Sequence, residues 1–288
     1  MKKILALTMA AAMSLSLVAC GNGGNGGSGS KGNTSTANPP VVSGSQGGSS
    51  ADASTPASVT TVEAGKLHMA TNAAFPPYEM LADDGTFEGI DIEIASEIAK
   101  KLGLELVVDD QDFTAAITAA GNGQSDIVMA GLTVSEERKE TLDFTDTYAT
   151  GIQVVIVKEG SDVTMDNLGE KMIGTQKGTT GYQYASDTPE NGGYGEDHVI
   201  GYDNGAIAVE ALKGGQIDCV IIDNEPAKAY VAANEGLTLL EGNWVVEDYA
   251  IGIKKGNTQL LNAINDALKE LIADGTVQDI VNKYIPAE

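Results

Sequence analysis

From Lys66 onward the chain alternates short apolar runs with segments whose apolar residues recur every four positions. The whole pattern restarts after Gly151. Lys66-Leu67-His68-Met69-Ala70-Thr71, Leu104 to Val108 and Asp126 to Met129 are predicted strands. Ile94, Ile98 and Leu102 share one face of a predicted helix from Ile90 to Leu102, stopped by Gly103, and Phe113 to Ala120 forms another. In the second half, Ile152 to Val157, Met172 to Thr175, Ile217 to Ile222 and Val245 to Ile253 read as strands. Asn204 to Leu212 reads as a helix, and Asn257 caps a long last helix carrying Leu260, Leu261, Ile264, Leu268 and Leu271. Such alternation predicts an α/β fold with a mainly parallel sheet. A helix, then a glycine-rich turn, then an apolar strand occurs in both halves, through Gly121-Asn122-Gly123-Gln124 and Gly214-Gly215-Gln216, which suggests similar construction of the two.

The first sixty residues follow another rule. Met1-Lys2-Lys3 is followed by an uncharged apolar run from Ile4 to Ala19, too short to span a bilayer, so residues 1–19 read as a secretory signal. The run ends Leu17-Val18-Ala19-Cys20, which resembles the lipobox of bacterial lipoproteins. That resemblance implies a lipid on Cys20; ordinary signal cleavage beside an incidental cysteine is the alternative. Residues 21–60 hold ten Gly and nine Ser, and only Lys31 and Asp52 are charged. Such a segment cannot bury enough apolar surface to offset its ordering entropy, so residues 20–61 are expected to act as a flexible tether.

Charge removes several functional classes. The chain has 17 Lys+Arg against 41 Asp+Glu, a formal charge of −24. No nucleic acid is expected as a partner, because phosphate binding needs a basic face. Two cysteines and two histidines leave no disulfide framework and no expected metal site. No G-x-x-x-x-G-K-S/T motif is present, so no ATP hydrolysis is expected, and no cofactor is expected. His68 and His198 read as structural or exposed, and Cys219, between Ile217 and Ile221, as a small core residue.

Four segments, in order, carry a resemblance. Ala70-Thr71-Asn72-Ala73-Ala74-Phe75-Pro76-Pro77-Tyr78-Glu79 is similar to the opening strand and loop of polar amino-acid substrate-binding proteins, the extracytoplasmic receptors of ABC importers. Gly89-Ile90-Asp91-Ile92-Glu93-Ile94 is similar to that family's G-F-D-x-D-L/I helix start. Ala130 to Arg138, AGLTVSEER, follows its A-G-M/L/I-T/S-x-T/S-x-E-R signature, and Asp143-Phe144-Thr145-Asp146-Thr147-Tyr148 its D-F-S/T-x-x-Y segment. The likeness extends from about Leu67 to Ile285. It implies a two-lobe periplasmic-binding-protein fold with two crossover hinge strands, with lobe one at 62–150 and 248–288 and lobe two at 151–247. Crossings are expected near Tyr148–Ile152 and Val246–Tyr249, and Trp244, beside the second, is expected to report hinge motion.

The residues themselves point to a site of the same kind. Arg138 is the only arginine in the chain, and it follows an apolar strand. A guanidinium offers forked donors that match a carboxylate, whereas a surface arginine beside Glu136, Glu137 and Lys139 is the plainer alternative. Gly178-Thr179-Thr180-Gly181 precedes a predicted helix, where unpaired backbone N–H groups accept anions and either threonine can cap. Asp223 directly follows a strand and can meet an ammonium or, alternatively, cap a helix from Asn224 to Val231. The resemblance implies ligand contacts from Asn72, Phe75, Phe113, Ala130, Gly131, Thr133, Arg138, Gln176, Thr179, Thr180 and Asp223. Because some relatives that take cations carry an aspartate where Asn72 stands, an α-amino acid with a polar, uncharged side chain such as glutamine's is favoured. Delivery to an ABC permease and its ATPase, a monomer, and attachment to the bacterial membrane through Cys20 complete the expectation. The rival is a secreted enzyme on the same fold, similar to cyclohexadienyl dehydratases, with Glu79 or Asp223 as its acid or base. A sensory module is a further rival, but the chain carries no kinase segment.

Overall fold

The computed structural model describes residues 59–286. The expected signal segment, Cys20 and nearly all of the expected tether lie outside the described residues. In chain order the elements begin with β1 (Lys66–Thr71), β2 (Ala74–Phe75), β3 (Glu79–Leu81), β4 (Phe87–Glu88) and α1 (Ile90–Leu102). Next come β5 (Glu105–Asp110), α2 (Phe113–Asn122), β6 (Ile127–Val128), β7 (Leu142–Lys158), β8 (Ile173–Gln176), α3 (Thr180–Ser186) and β9 (Val199–Tyr202). The chain closes with α4 (Gly205–Lys213), β10 (Cys219–Asp223), α5 (Asn224–Ala233), β11 (Leu237–Leu239), β12 (Val245–Lys254), α6 (Thr258–Ala273) and α7 (Thr276–Tyr284).

One sheet runs β5-β1-β6-β12-β7-β10-β8-β9, with β11 beside β7. Its plan explains how two halves arise from one sheet. β5, β1 and β6 are mutually parallel, and so are β10, β8 and β9. Between these trios lies an antiparallel ribbon of β7 and β12, paired from Val245 with Gln153 to Lys254 with Leu142. Only Gly252 and Ile253 of the ribbon pair with β6, whereas Gln153–Val157 pair with β10. Irregularities between Tyr249 and Gly252 interrupt the register midway. Extra residues of this kind bend a strand and raise its twist. The fold is therefore the expected two-lobe architecture with two crossover strands.

The expected mainly parallel sheet is corrected in one respect. The ribbon is antiparallel to both trios, and the break expected after Gly151 is absent, because β7 continues through it for 17 residues. Gly151 is extended and serves close approach rather than a turn. A Cβ there would lie 2.2 Å from the Tyr249 hydroxyl and 2.6 Å from Asp223 Oδ1. A small antiparallel sheet of β2, β3 and β4, which the periodicity did not reveal, folds over the start of α1.

Local chemistry fixes the helices that carry the site. α1 buries Ile90, Ile94 and Ile98 and ends at Gly103 with φ 69°, a left-handed turn that glycine adopts at little cost. The same face buries Asp91 in its first turn. Asp112 caps α2 by accepting from the Thr114 N–H at 3.0 Å, and Asn257 caps α6 by accepting from Leu260. α6 buries Leu260, Ile264, Leu268 and Leu271, as its spacing predicts. Each such side chain contributes about 1.5–3 kcal/mol by leaving water. Cys219 is fully buried, and burial pushes its thiol up to about 12. His68 sits between Asp109, at 2.9 Å, and Glu63, a structural position.

Candidate functional site

Parallel strands present their carboxyl ends on one side, and α/β proteins bind ligands there. Here the carboxyl ends of both trios face one another. Asn72 follows β1, Ala130 and Gly131 follow β6, Gln176 ends β8 and Asp223 ends β10. Together with Phe75, Glu79, Phe113, Thr133, Arg138, Thr179 and Thr180 they line one cavity. The cavity is small, ≈ 20 Å³. All eleven residues expected from the sequence thus meet at one place.

The space is small because the two halves touch across it. Gln176 Nε2 donates to Asn72 Oδ1 at 2.9 Å, and Arg138 Nη2 donates to the Gly178 carbonyl at 3.2 Å. At the rim, the Tyr230 hydroxyl donates to the Ala74 carbonyl at 2.9 Å, and Gln183 Nε2 to Glu137 Oε2 at 2.8 Å. Gly178 permits a close approach between the halves. Its φ is 75°, and a Cβ would stand 2.5 Å from Thr114 Oγ1.

Arg138 is not a surface arginine. It is 6% exposed, its Nη1 donates to the Thr133 carbonyl at 2.7 Å, and its guanidinium lies 5.4 Å from the Phe113 ring centroid. Burial lowers its pKa, opposed chiefly by the carboxylate of Glu247. A guanidinium remains charged under such a shift. On the far side Asp223 is 8% exposed. It occupies the position before α5, yet its side chain makes no cap there. Oδ1 accepts from the Tyr249 hydroxyl and Oδ2 from Gln153 Nε2 at 2.8 Å. Burial pushes this carboxyl up to about 7, with Glu247 adding to the rise and both donors opposing it.

Sequence reasoning missed the layer beneath. Glu247 Oε2 accepts from Thr133 Oγ1 at 3.2 Å, Gln153 Nε2 at 3.0 Å and Thr180 Oγ1 at 2.9 Å. One carboxylate therefore ties both halves to the ribbon. The available signal was the acidic pair Glu247-Asp248 within the otherwise apolar run Val245–Ile253. Thr179 caps α3 through the Tyr182 N–H, so its hydroxyl is engaged in structure. Asn72 is likewise engaged, because its Nδ2 donates to the Gln111 carbonyl at 2.9 Å. Glu79, weighed in the sequence only as an enzyme's acid or base, lines the cavity and is fully buried. Among the described residues no group of three or more acidic, cysteine or histidine side chains could hold a metal ion.

A two-lobe fold with opposite charges buried where the carboxyl ends of its strands meet defines a small-molecule receptor. Residues 67–287 match the family of bacterial extracellular solute-binding proteins, family 3, and the chain belongs to that family. It is 34% identical over 213 residues to an ABC transporter glutamine-binding protein of Bacillus subtilis, covering 71% of this chain and 76% of that protein. It is 30% identical to a probable histidine-binding protein of Neisseria gonorrhoeae, covering 84% of this chain and 90% of the other. A solved ancestral arginine-binding protein bound to arginine superposes with a TM-score of 0.71 at 38% identity, over 77% of this chain and 98% of the other. These relatives are named as binding proteins, not enzymes.

Proposed function

We propose that the chain is an extracytoplasmic solute-binding lipoprotein that encloses one α-amino acid between its lobes and delivers it, as a monomer, to an ABC import permease and its ATPase. One observation carries the reading. Arg138 and Asp223, opposite in charge and both buried, face one enclosed cavity from different halves of the sheet. An α-carboxylate suits the forked donors of Arg138, and an α-ammonium suits Asp223, whose two neutral donors leave its charge unmatched. Lobe one is taken as 62–150 with 248–288 and lobe two as 151–247, so the hinge falls at the middle of the ribbon. Ligand contact with both halves favours the closed form by its differential affinity for it. Lipid on Cys20 would hold the receptor at the outer face of the cell membrane.

The preference for a polar, uncharged side chain such as glutamine's rests on Asn72, which lines the cavity with its amide also bonded to Gln111 and Gln176. Thermal melting against the twenty amino acids tests the general reading. A true ligand at about a thousand times its Kd should add about 4 kcal/mol. If none raised the melting temperature, the amino-acid reading would be wrong.

A further inference from the structure

Glu247 is buried, yet it does not line the cavity. It lies beneath, on β12, with Gly151 of β7 as its strand partner. Through it runs one continuous chain of hydrogen bonds between the two grips. Arg138 Nη1 donates to the Thr133 carbonyl at 2.7 Å, and Thr133 Oγ1 donates to Glu247 Oε2 at 3.2 Å. From the other end, Gln153 Nε2 donates to Asp223 Oδ2 at 2.8 Å and to the same Glu247 oxygen at 3.0 Å. Thr180 Oγ1, at the start of α3, adds a third bond to that oxygen at 2.9 Å. Every member of this chain is buried. Oε1 of Glu247 has no partner, so the bonding of this carboxylate is concentrated on one oxygen. Thr133 is fastened to the far part of β12, because the Val134 N–H donates to the Asp248 carbonyl and the Ala250 N–H to the Leu132 carbonyl, each at 3.1 Å. Thr180 belongs to the other half. When the halves part, the two hydroxyls separate, and one oxygen cannot follow both.

We propose that Glu247 is a positioning residue that latches the two halves together beneath the ligand and thereby sets how long a bound amino acid stays. The proposal rests on the amino-acid reading above and adds to it a residue that does not touch the ligand. Its position gives the latch its weight. The rim contact of Gln183 with Glu137 is exposed, and water replaces such a bond at little cost. The bonds to Glu247 are shielded from water, so each must break before the base of the cleft can open. The latch forms only after the ligand has entered, so it acts on release and leaves entry unchanged. Glu247 reaches the ligand only through Thr133, Gln153 and Thr180, which support the grips on the carboxylate and the ammonium. Its effect is therefore the same for every amino acid that binds, whatever the side chain.

Two conservative variants separate reach from charge. Glu247→Asp keeps the charge but withdraws the oxygens by about 1.5 Å, too far to hold both hydroxyls. Glu247→Gln loses the charge but keeps an acceptor oxygen in the place of Oε2, with its amide nitrogen where Oε1 has no partner. The full chain and both variants are loaded with radiolabelled arginine, histidine, glutamine or any other standard amino acid that binds, then chased with unlabelled ligand. Release from Glu247→Asp should be about ten- to a hundredfold faster than from the unaltered chain, and by the same factor for each ligand. Release from Glu247→Gln should quicken by less than about threefold, and association should change by less than about threefold in both. Should Glu247→Asp not fold, Glu247→Ala takes its place with the same expectation. Release at the unaltered rate from the shortened variant overturns the proposal, even if its melting temperature falls, because that marks a structural role alone. So does faster release from Glu247→Gln than from Glu247→Asp, which marks a role for charge, and so does a changed ranking of ligands. Each of these leaves the amino-acid reading intact. Failure of every standard amino acid to bind overturns both.

Discussion

The cavity holds two buried acids built on opposite plans. Asp223, at the end of β10, has a hydroxyl and an amide donating to its two oxygens, and its carboxyl is raised to about 7. Glu79, at the start of β3, has no hydrogen-bond partner on either oxygen. Asp223 belongs to the large sheet and Glu79 to the small one, and burial is the largest cause of each shift. What differs is the supply of donors. Donors prepare an oxygen to bear charge, and their absence favours the neutral acid. A buried carboxylate supplied with donors is ready for the ammonium present in every amino acid.

The largest expected effect is on the side supplied with donors. Asp223→Asn should weaken every amino-acid ligand, by roughly 2–5 kcal/mol, because an α-ammonium would be buried without a counter-charge. Titration calorimetry checks this, and an unaffected ligand would place the ammonium elsewhere. Arg138→Lys should follow at about 2–3 kcal/mol, since one ammonium cannot reproduce the forked donors or span to the Gly178 carbonyl. A smaller loss, about 1–2 kcal/mol, is expected from Gly178→Ala. Its left-handed backbone and the 2.5 Å approach to Thr114 Oγ1 both resist a methyl group. Small-angle scattering of that variant with saturating ligand should show a less compact particle.

Titration of the unliganded protein sharpens the same comparison. Glu79, Asp91 and Asp223 all have carboxyls raised in the folded state. The folded chain thus binds more protons than the unfolded chain above about pH 4, and these groups make stability fall as pH rises from about 4 to 7. The contribution is fully present below the unfolded values near 4 and is lost by the folded values. Melting temperatures of the unliganded protein across that range would show this slope, and a flat profile would contradict it. The smallest effect belongs to the rim. Gln183→Ala removes one exposed bond to Glu137 and should change affinity by less than about 0.5 kcal/mol.

Much of this was legible before any coordinates, for physical reasons. Ile94 and Ile98 declared α1 by their period, and Gly103 ended it. The sole arginine after an apolar strand marked Arg138. What escaped notice depended on distance in sequence. Only Ile152 to Val157 of the 17-residue β7 read as a strand, and the missing side chain of Gly151 makes room for Tyr249 and Asp223, some 70 to 100 positions later. Nothing in the sequence tied Glu247 to the site, because only the folded ribbon brings Thr133, Gln153 and Thr180 to it. The partners of Asn72, Gln111 and Gln176, come from other strand ends and were not legible in the sequence.

The central claim is that Arg138 and Asp223 grip the two charged groups common to all α-amino acids. Titration with an amino acid that binds, beside its decarboxylated and its deaminated analogues, tests this most directly. Both analogues should bind at least about a hundredfold more weakly than the parent, each leaving one buried charge unpaired. If either analogue bound within a few fold of the parent, the side chain opposite the missing group would not hold the ligand, and the assignment of the site would fail.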